Sequence, residues 1–304
     1  MIYELRQQTR YAYAAAVPYS SHVARLLPVD RKGQTVRKAA LSIAPVPSER
    51  QETLDFFGNR ICHFALDRPH DELVVRLDAE VEVLPAEPYL AALTPSAEEI
   101  RALAVASRDL GPDSPVHGLF VSPSVPLDAA ITRYAAQSFP ARRPMLEGAI
   151  ELMKRVKGDF AYVLGATDAD TSPSDAFAAR KGVCQDFAHV MIAGLRGIAL
   201  PVRYVSGYLR TEPPPGRERL EGADATHAWV EVWCGGEAGW VGLDPTNGIM
   251  AGEDHLVLAI GRDYSDVSPL DGVIVASGAH SLTVAVDVIP LPGPSAKRSL
   301  RVVE

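Results

Sequence analysis

Between Val183 and Ile198 the chain carries apolar side chains around nearly the whole circumference of a helix. Phe187, Val190, Met191, Gly194, Leu195 and Ile198 recur at helical spacing, and Ala188 and Ile192 fill the flanks. A helix that is apolar on all sides cannot rest on a surface; other elements must enclose it. Pro201 stops it, and Val202–Leu209 reads as the strand that follows. The rest of the fold must be arranged around this buried helix. Arg196 and Pro201 interrupt the stretch well short of the roughly 18 continuous apolar residues of a membrane-spanning helix, so no membrane partner is expected.

Cys184 falls in the first turn of that helix, where free backbone N–H groups and the helix dipole stabilise a thiolate. Position alone does not separate this from an inert buried thiol. The three cysteines, Cys62, Cys184 and Cys234, are an odd number without CxxC spacing, so at least one is free. Farther on, His227, Trp229, Glu231 and Trp233 share one face of a strand, with Ala228, Val230 and Val232 on the other. If Trp240 to Pro245 folds back with Trp240 opposite Trp233, Asp244 becomes a diagonal neighbour of His227 on the same face. A slip of one residue would send Asp244 to the wrong side. A helix-start cysteine with a histidine and an acid on adjoining strands is the arrangement nucleophilic acyl transfer needs. Each residue taken singly also has a bland reading: a satisfied polar histidine, an Asp-Pro turn.

With 304 residues the chain is about twice a usual domain, and its 47% apolar and 22% charged residues describe a soluble globular protein. A formal net charge of −8 disfavours nucleic acid as a partner. Residues 1–85 read as short strands: Tyr3, Leu5, Tyr11 and Tyr13 alternate with Glu4, Arg6, Gln8 and Arg10, which argues against a signal peptide; Gly58-Asn59 marks a hairpin; and Leu73 to Val83 alternates strictly. Pro85, Pro88 and Pro95 mark a boundary, followed by helices near Ser96 to Ala106, Leu127 to Gln137 and Met145 to Val156. Residues 211–223 read as a proline-rich surface loop, and Ser281 to Ile289 as a last strand. Three units are expected: a β domain at 1–85, a helical linker region at 86–145, and a catalytic core with a C-terminal strand at 146–304. A cytoplasmic location with reduced thiols is expected.

The blocks Ala178-Ala-Arg-Lys-Gly-Val-Cys-Gln-Asp-Phe-Ala-His189, Pro201-Val-Arg-Tyr-Val-Ser-Gly-Tyr208, Ala225-Thr-His-Ala-Trp-Val-Glu-Val232 and Trp240-Val-Gly-Leu-Asp-Pro-Thr-Asn247 resemble the bacterial transglutaminase-like superfamily. The resemblance extends to the N-terminal β region, through Tyr11-Ala-Tyr, His22, Arg25-Leu and Phe57-Gly-Asn-Arg60, and to Gly261-Arg-Asp-Tyr-Ser-Asp-Val267. It implies an α+β fold: a papain-like core, its buried central helix packed on an antiparallel sheet, preceded by an all-β N-terminal domain. Cys184 becomes the nucleophile, His227 the general base and acid, and Asp244 the residue that orients it. One departure is Ile198-Ala199-Leu200, where a glycine is expected in the turn before Pro201.

The activity implied is a thiol peptidase or amidase acting on a peptide or protein amide, without cofactor. The alternatives are transfer of the acyl group to an amine and a binding protein that has kept the fold. Family members are associated with ATP-grasp-type ligases as partners. A metal site built from Cys184, His227 and Asp244 lacks local paired spacing. Gln185, Asp186, Trp229, Asp263 and Tyr264 are the substrate-side candidates. For Gln185 and Asp186 the competing role is helix capping, for Trp229, Trp233 and Trp240 packing, and for Arg262-Asp263-Tyr264 pinning of the C-terminal segment. The Cys184 N–H and one unidentified side chain are expected to serve an oxyanion. His189 points away from Cys184 around the helix and reads as a packed core residue. Cys62 and Cys234 read as bystanders.

Overall fold

The computed structural model describes residues 1–85, 90–211, 225–275 and 278–291. Pro88 and nearly all of the expected loop at 211–223 lie outside them. The elements, in chain order, begin with β1 (Ile2–Val17), β2 (Tyr19–Leu27), β3 (Gln34–Ala44), β4 (Glu49–Leu54), β5 (Arg60–Leu66) and β6 (His70–Val83). Helices α1 (Ala97–Ala106), α2 (Ala129–Ala136) and α3 (Met145–Asp159) follow, then β7 (Ala161–Tyr162), α4 (Pro173–Ala179), β8 (Lys181–Gly182) and α5 (Cys184–Gly197). The chain continues through β9 (Val202–Leu209), β10 (Ala225–Trp233), β11 (Trp240–Asp244), β12 (Ile249–Met250), β13 (His255–Gly261), α6 (Tyr264–Val267), β14 (Leu270–Val275) and β15 (His280–Leu291).

Strand alternation builds the N-terminal unit. Leu73, Val75, Leu77, Ala79, Val81 and Val83 of β6 all turn inward, and with Leu26 and Phe64 from the opposing sheet they form one core. Two four-stranded sheets face each other, in the orders β15-β1-β6-β3 and β14-β2-β5-β4. The last two strands therefore belong to this unit, which corrects the expected division that placed the C-terminal strand with the catalytic core. Leu5 pairs with Val288 and Gln7 with Val286 along β1. The alternation of Val284, Val286 and Val288 specifies a strand with one apolar face, buried at Val286 and Val288 and exposed at Val284, and the unpaired edge of the long β1 decides where it goes.

The second unit packs α5 against a five-stranded antiparallel sheet of order β12-β11-β10-β9-β13. Ala228, Val230 and Val232 of β10 meet Phe187, Met191 and Leu195 of α5 in one cluster. Ile100 of α1 and Ile131 and Ala135 of α2 are fully buried in the same cluster. Residues 86–145 are thus, where described, part of this core and not a linker. The turn after α5 places Ala199 at φ +56°, the left-handed conformation for which a glycine is expected at this point of the chain.

The two units are joined at the β13 edge. Asn59 is fully buried; its Nδ2 donates to the Ile260 carbonyl and its Oδ1 accepts from Ile260 N–H, both at 2.8 Å. Gln34 repeats the pattern with Val257, at 2.9 Å each way. Two amide side chains satisfy the outer edge of β13 as a neighbouring strand would.

Candidate active site

The start of α5 is fixed by a small set of contacts. Strands β7 and β8 pair in parallel, and the Val163 N–H donates to the Gly182 carbonyl at 2.9 Å, which delivers the chain to the helix. Asp186, the third helical residue, then accepts from Val183 N–H at 2.7 Å and from Thr167 Oγ1 at 2.6 Å. Its carboxylate reaches back because Gly182 leaves space: a Cβ there would sit 2.4 Å from Asp186 Oδ2. Cys184 is consequently held at the first helical position, half-exposed, while Cys62 and Cys234 are buried.

His227 and Asp244 meet across the β10–β11 pair. Trp233 faces Trp240, and His227 Nε2 donates to Asp244 Oδ2 at 2.8 Å. Burial of the His227 ring works against its protonation, but the Asp244 hydrogen bond and the Cys184 thiol together outweigh that and pull it up to about 9. Asp244 has no solvent exposure. Burial would raise its carboxyl, yet hydrogen bonds from His227, His255 and Asn247 hold it well below the ordinary carboxylate range. Oδ1 accepts from the N–H groups of Thr246 and Asn247 at 2.9 and 3.1 Å; Oδ2 also accepts from Asn247 Nδ2 at 2.7 Å.

His255 completes the cluster, and sequence reasoning missed it. Its Nε2 lies 3.2 Å from Asp244 Oδ2 although β13 and β11 are at opposite sides of β9 and β10. The connection from β12 to β13 crosses over the sheet, with Ala251 N–H donating to the Gly242 carbonyl at 3.0 Å. Two glycines let it lie close: a Cβ on Gly242 would be 2.6 Å from Ala251 Cβ, and one on Gly207 would be 2.0 Å from the Leu256 carbonyl oxygen. The His255 ring then packs edge-on against Trp229 at 5.2 Å. A glycine facing His227 across β9 was the only local sign of such an overlay.

The ligand atoms of His227, Asp244 and His255 lie within 4.8 Å of one another, the spacing of a divalent-cation site. His255 Nδ1, however, accepts from Gly252 N–H at 3.2 Å. That contact leaves the proton on Nε2, which faces Asp244 as a donor and has no lone pair for a metal. The cluster fits a hydrogen-bonded carboxylate better than a metal centre.

The remaining sequence candidates separate clearly. Asp186 and Trp229 are buried, the first as the helix cap described above and the second against Val205 and Ile260, so neither faces a ligand. Asp263 is fully buried as well: it caps α6, accepting from Ser265 N–H at 2.8 Å and from Ser124 N–H at 2.7 Å. Short acidic side chains satisfy nearby N–H groups readily, and that use consumes both carboxylates. Arg262 is tied to Asp266, and its carbonyl accepts from the buried Arg196. Trp240 donates to the Asp113 carbonyl and lies under Arg203. His189 is buried, pushed down to about 4 by that burial, and its Nε2 accepts from Tyr264 N–H at 3.2 Å, as a packed neutral histidine would.

Gln185 and Tyr264 have other partners in the fold. Gln185 is half-buried and donates to the Ala169 carbonyl at 2.9 Å. Tyr264 packs edge-on against Tyr204 at 6.4 Å, and burial raises the hydroxyls of Tyr264, Tyr162 and Tyr204.

Residues 3–82 match the model of the bacterial transglutaminase-like N-terminal region, and residues 133–245 that of the transglutaminase-like superfamily. An uncharacterized protein of Mycobacterium tuberculosis is 38% identical over 295 residues, covering 96% of this chain and 93% of that one. One from Mycobacterium leprae is 32% identical over 287 residues, 93% of this chain and 96% of the other. A crystal structure of a candidate cysteine protease from Cytophaga hutchinsonii superposes with a TM-score of 0.75 at 20% identity, over 97% of this chain and 92% of that one.

Proposed function

Since the chain belongs to the transglutaminase-like superfamily, we propose that it is a thiol-dependent acyl-transfer enzyme that hydrolyses amide or peptide bonds through a thioester on Cys184. The observation that carries the reading is the 2.8 Å contact from His227 Nε2 to buried Asp244, with the Cys184 thiol acting on the same imidazole. The protease description of the structural neighbour points the same way.

With Nε2 committed to Asp244, Nδ1 is the ring nitrogen left for the thiol. It takes the Cys184 proton, and the thiolate adds to the substrate carbonyl carbon. Negative charge develops on the carbonyl oxygen beside the free N–H groups at the start of α5, which stabilise it. Collapse breaks the C–N bond; the imidazolium passes its proton to the leaving amine, and the acyl group stays on sulfur. A water molecule then gives its proton to His227, attacks the thioester and releases the acid, and the thiolate recovers the proton. Asp244 holds the ring orientation and supports its positive form throughout.

Only Cys184 among the three thiols is open to a reagent, so an iodoacetamide probe on the native protein reads this residue alone. Cys184→Ala should abolish that labelling and the hydrolysis of a peptide-amide mixture while the circular dichroism spectrum is kept. Turnover that survives the substitution would overturn the proposal. A labelled amine added to the same incubation tests for transfer in place of hydrolysis.

A further inference from the structure

We propose that His255 is a positioning residue of this site: as a second imidazole donor on Asp244 Oδ2, it limits how firmly Asp244 holds the His227 imidazolium. The inference rests on the reading of His227 as the base and goes on to assign how its proton affinity is set.

The Gly252 N–H on His255 Nδ1 fixes the tautomer. Nε2–H can then point only at Asp244 Oδ2, the oxygen that already accepts from His227 and Asn247. Three donors on one oxygen share its charge, so each is held less tightly than it would be alone. The groups that face His227 are Asp244 from β11, Cys184 from α5 and the His255 ring at 6.2 Å; those on Asp244 are His227, His255 and Asn247. All three members of the His227–Asp244–His255 line are buried, so solvent screens the competition little.

The arrangement has a chemical purpose. A base that must later act as an acid needs a proton affinity near the working pH. An undivided buried carboxylate would hold the imidazolium too strongly for it to release the proton to the leaving amine. His255 draws part of the Oδ2 charge away, so that Asp244 orients the ring and still lets the proton go.

The test follows iodoacetamide alkylation of Cys184 from pH 5 to 10 in the full chain, as wild type, His255→Gln and His255→Leu. Gln can still donate to Oδ2; Leu cannot. The alkaline inflection, where His227 loses its proton, should move up in His255→Leu by roughly half a unit to one unit, three- to ten-fold in the proton equilibrium. In His255→Gln it should stay near the wild-type value. An inflection unmoved or lowered in a folded His255→Leu would overturn the assignment. If that variant does not fold, 15N-resolved imidazole spectra of the wild type decide: an Nε2–H tautomer for His255 supports the role and an Nδ1–H tautomer refutes it. A wild-type profile with no enhanced reactivity at low pH would instead remove the His227 reading itself, a different failure from that of His255.

Discussion

Replacing Asp244 with Asn keeps the size of the side chain and removes its charge. Every contact on the carboxylate comes from a donor: His227, His255 and Asn247 on Oδ2, the backbone N–H groups of Thr246 and Asn247 on Oδ1. An amide can offer an oxygen to one side only, so its NH2 group must face a donor whichever way it turns. His227 stands at about 9 because the Asp244 hydrogen bond and the thiol outweigh burial. Without the carboxylate, burial brings the imidazole back to its ordinary value near 6.5 or lower. That fall corresponds to roughly 3 kcal/mol. At pH 8 the protonated share drops from about nine-tenths to about three-hundredths, so formation of the thiolate–imidazolium pair falls about thirty-fold. NMR titration of the His227 ring measures this directly, and peptide-amide turnover at pH 8 should fall by at least the same factor. Stability carries the same signature. The folded value lies above the unfolded one, so the imidazolium stabilises the fold in full below about 6.5 and ceases to as the pH rises through about 9. The wild-type melting temperature should decline across that window and the variant's should not. A folded Asp244→Asn protein whose His227 still titrates near 9 would refute the reasoning.

Gly182→Ala places a Cβ 2.4 Å from Asp186 Oδ2, so the cap on Val183 N–H must give way; an overpacking cost of about 1–3 kcal/mol should appear in chemical denaturation, with Cys184 alkylation slowed about ten-fold. Val288→Asp puts a carboxylate into the sandwich core, where Val288 has no exposure, at a cost of several kcal/mol. Because Gln34 and Asn59 tie that sandwich to β13, the unit built on α5 should melt with it in one calorimetric transition; two separated transitions would show the units to be independent.

The parts of the fold that were legible in the sequence are those set by local pattern. The all-round apolar helix could only be central, and the strand faces around Cys234 to Gly239 admit the hairpin in which Trp233 meets Trp240. What was not legible depends on where a side chain or strand goes after its local rules are satisfied. Asp186 and Asp263 are the residue type expected at a substrate or at a helix start, and sequence does not say which N–H groups are nearer. The alternation in β15 specifies a buried face without naming the sheet that buries it. His255 was invisible for a topological reason: it reaches Asp244 only because the chain crosses two intervening strands, guided by glycines whose spacing carries no strand or helix period. Ala199 in a left-handed turn shows a rule kept in geometry and broken in composition.

The two ends of the described chain close the same pair of sheets, β14 and β15 supplying the final strands beside β2 and β1. During synthesis the opening strands leave the ribosome first and have no partner on that side until residues 270–291 follow them. All the residues of the His227–Asp244–His255 line are made in the interval, while the sandwich that braces β13 through Gln34 and Asn59 is still incomplete. The brace on β13 is therefore completed last: the sheets that carry Gln34 and Asn59 gain their outer strands only when residues 270–291 are in place. A chain released early would hold Cys184, His227, Asp244 and His255 in full while its two sheets each lacked an edge strand.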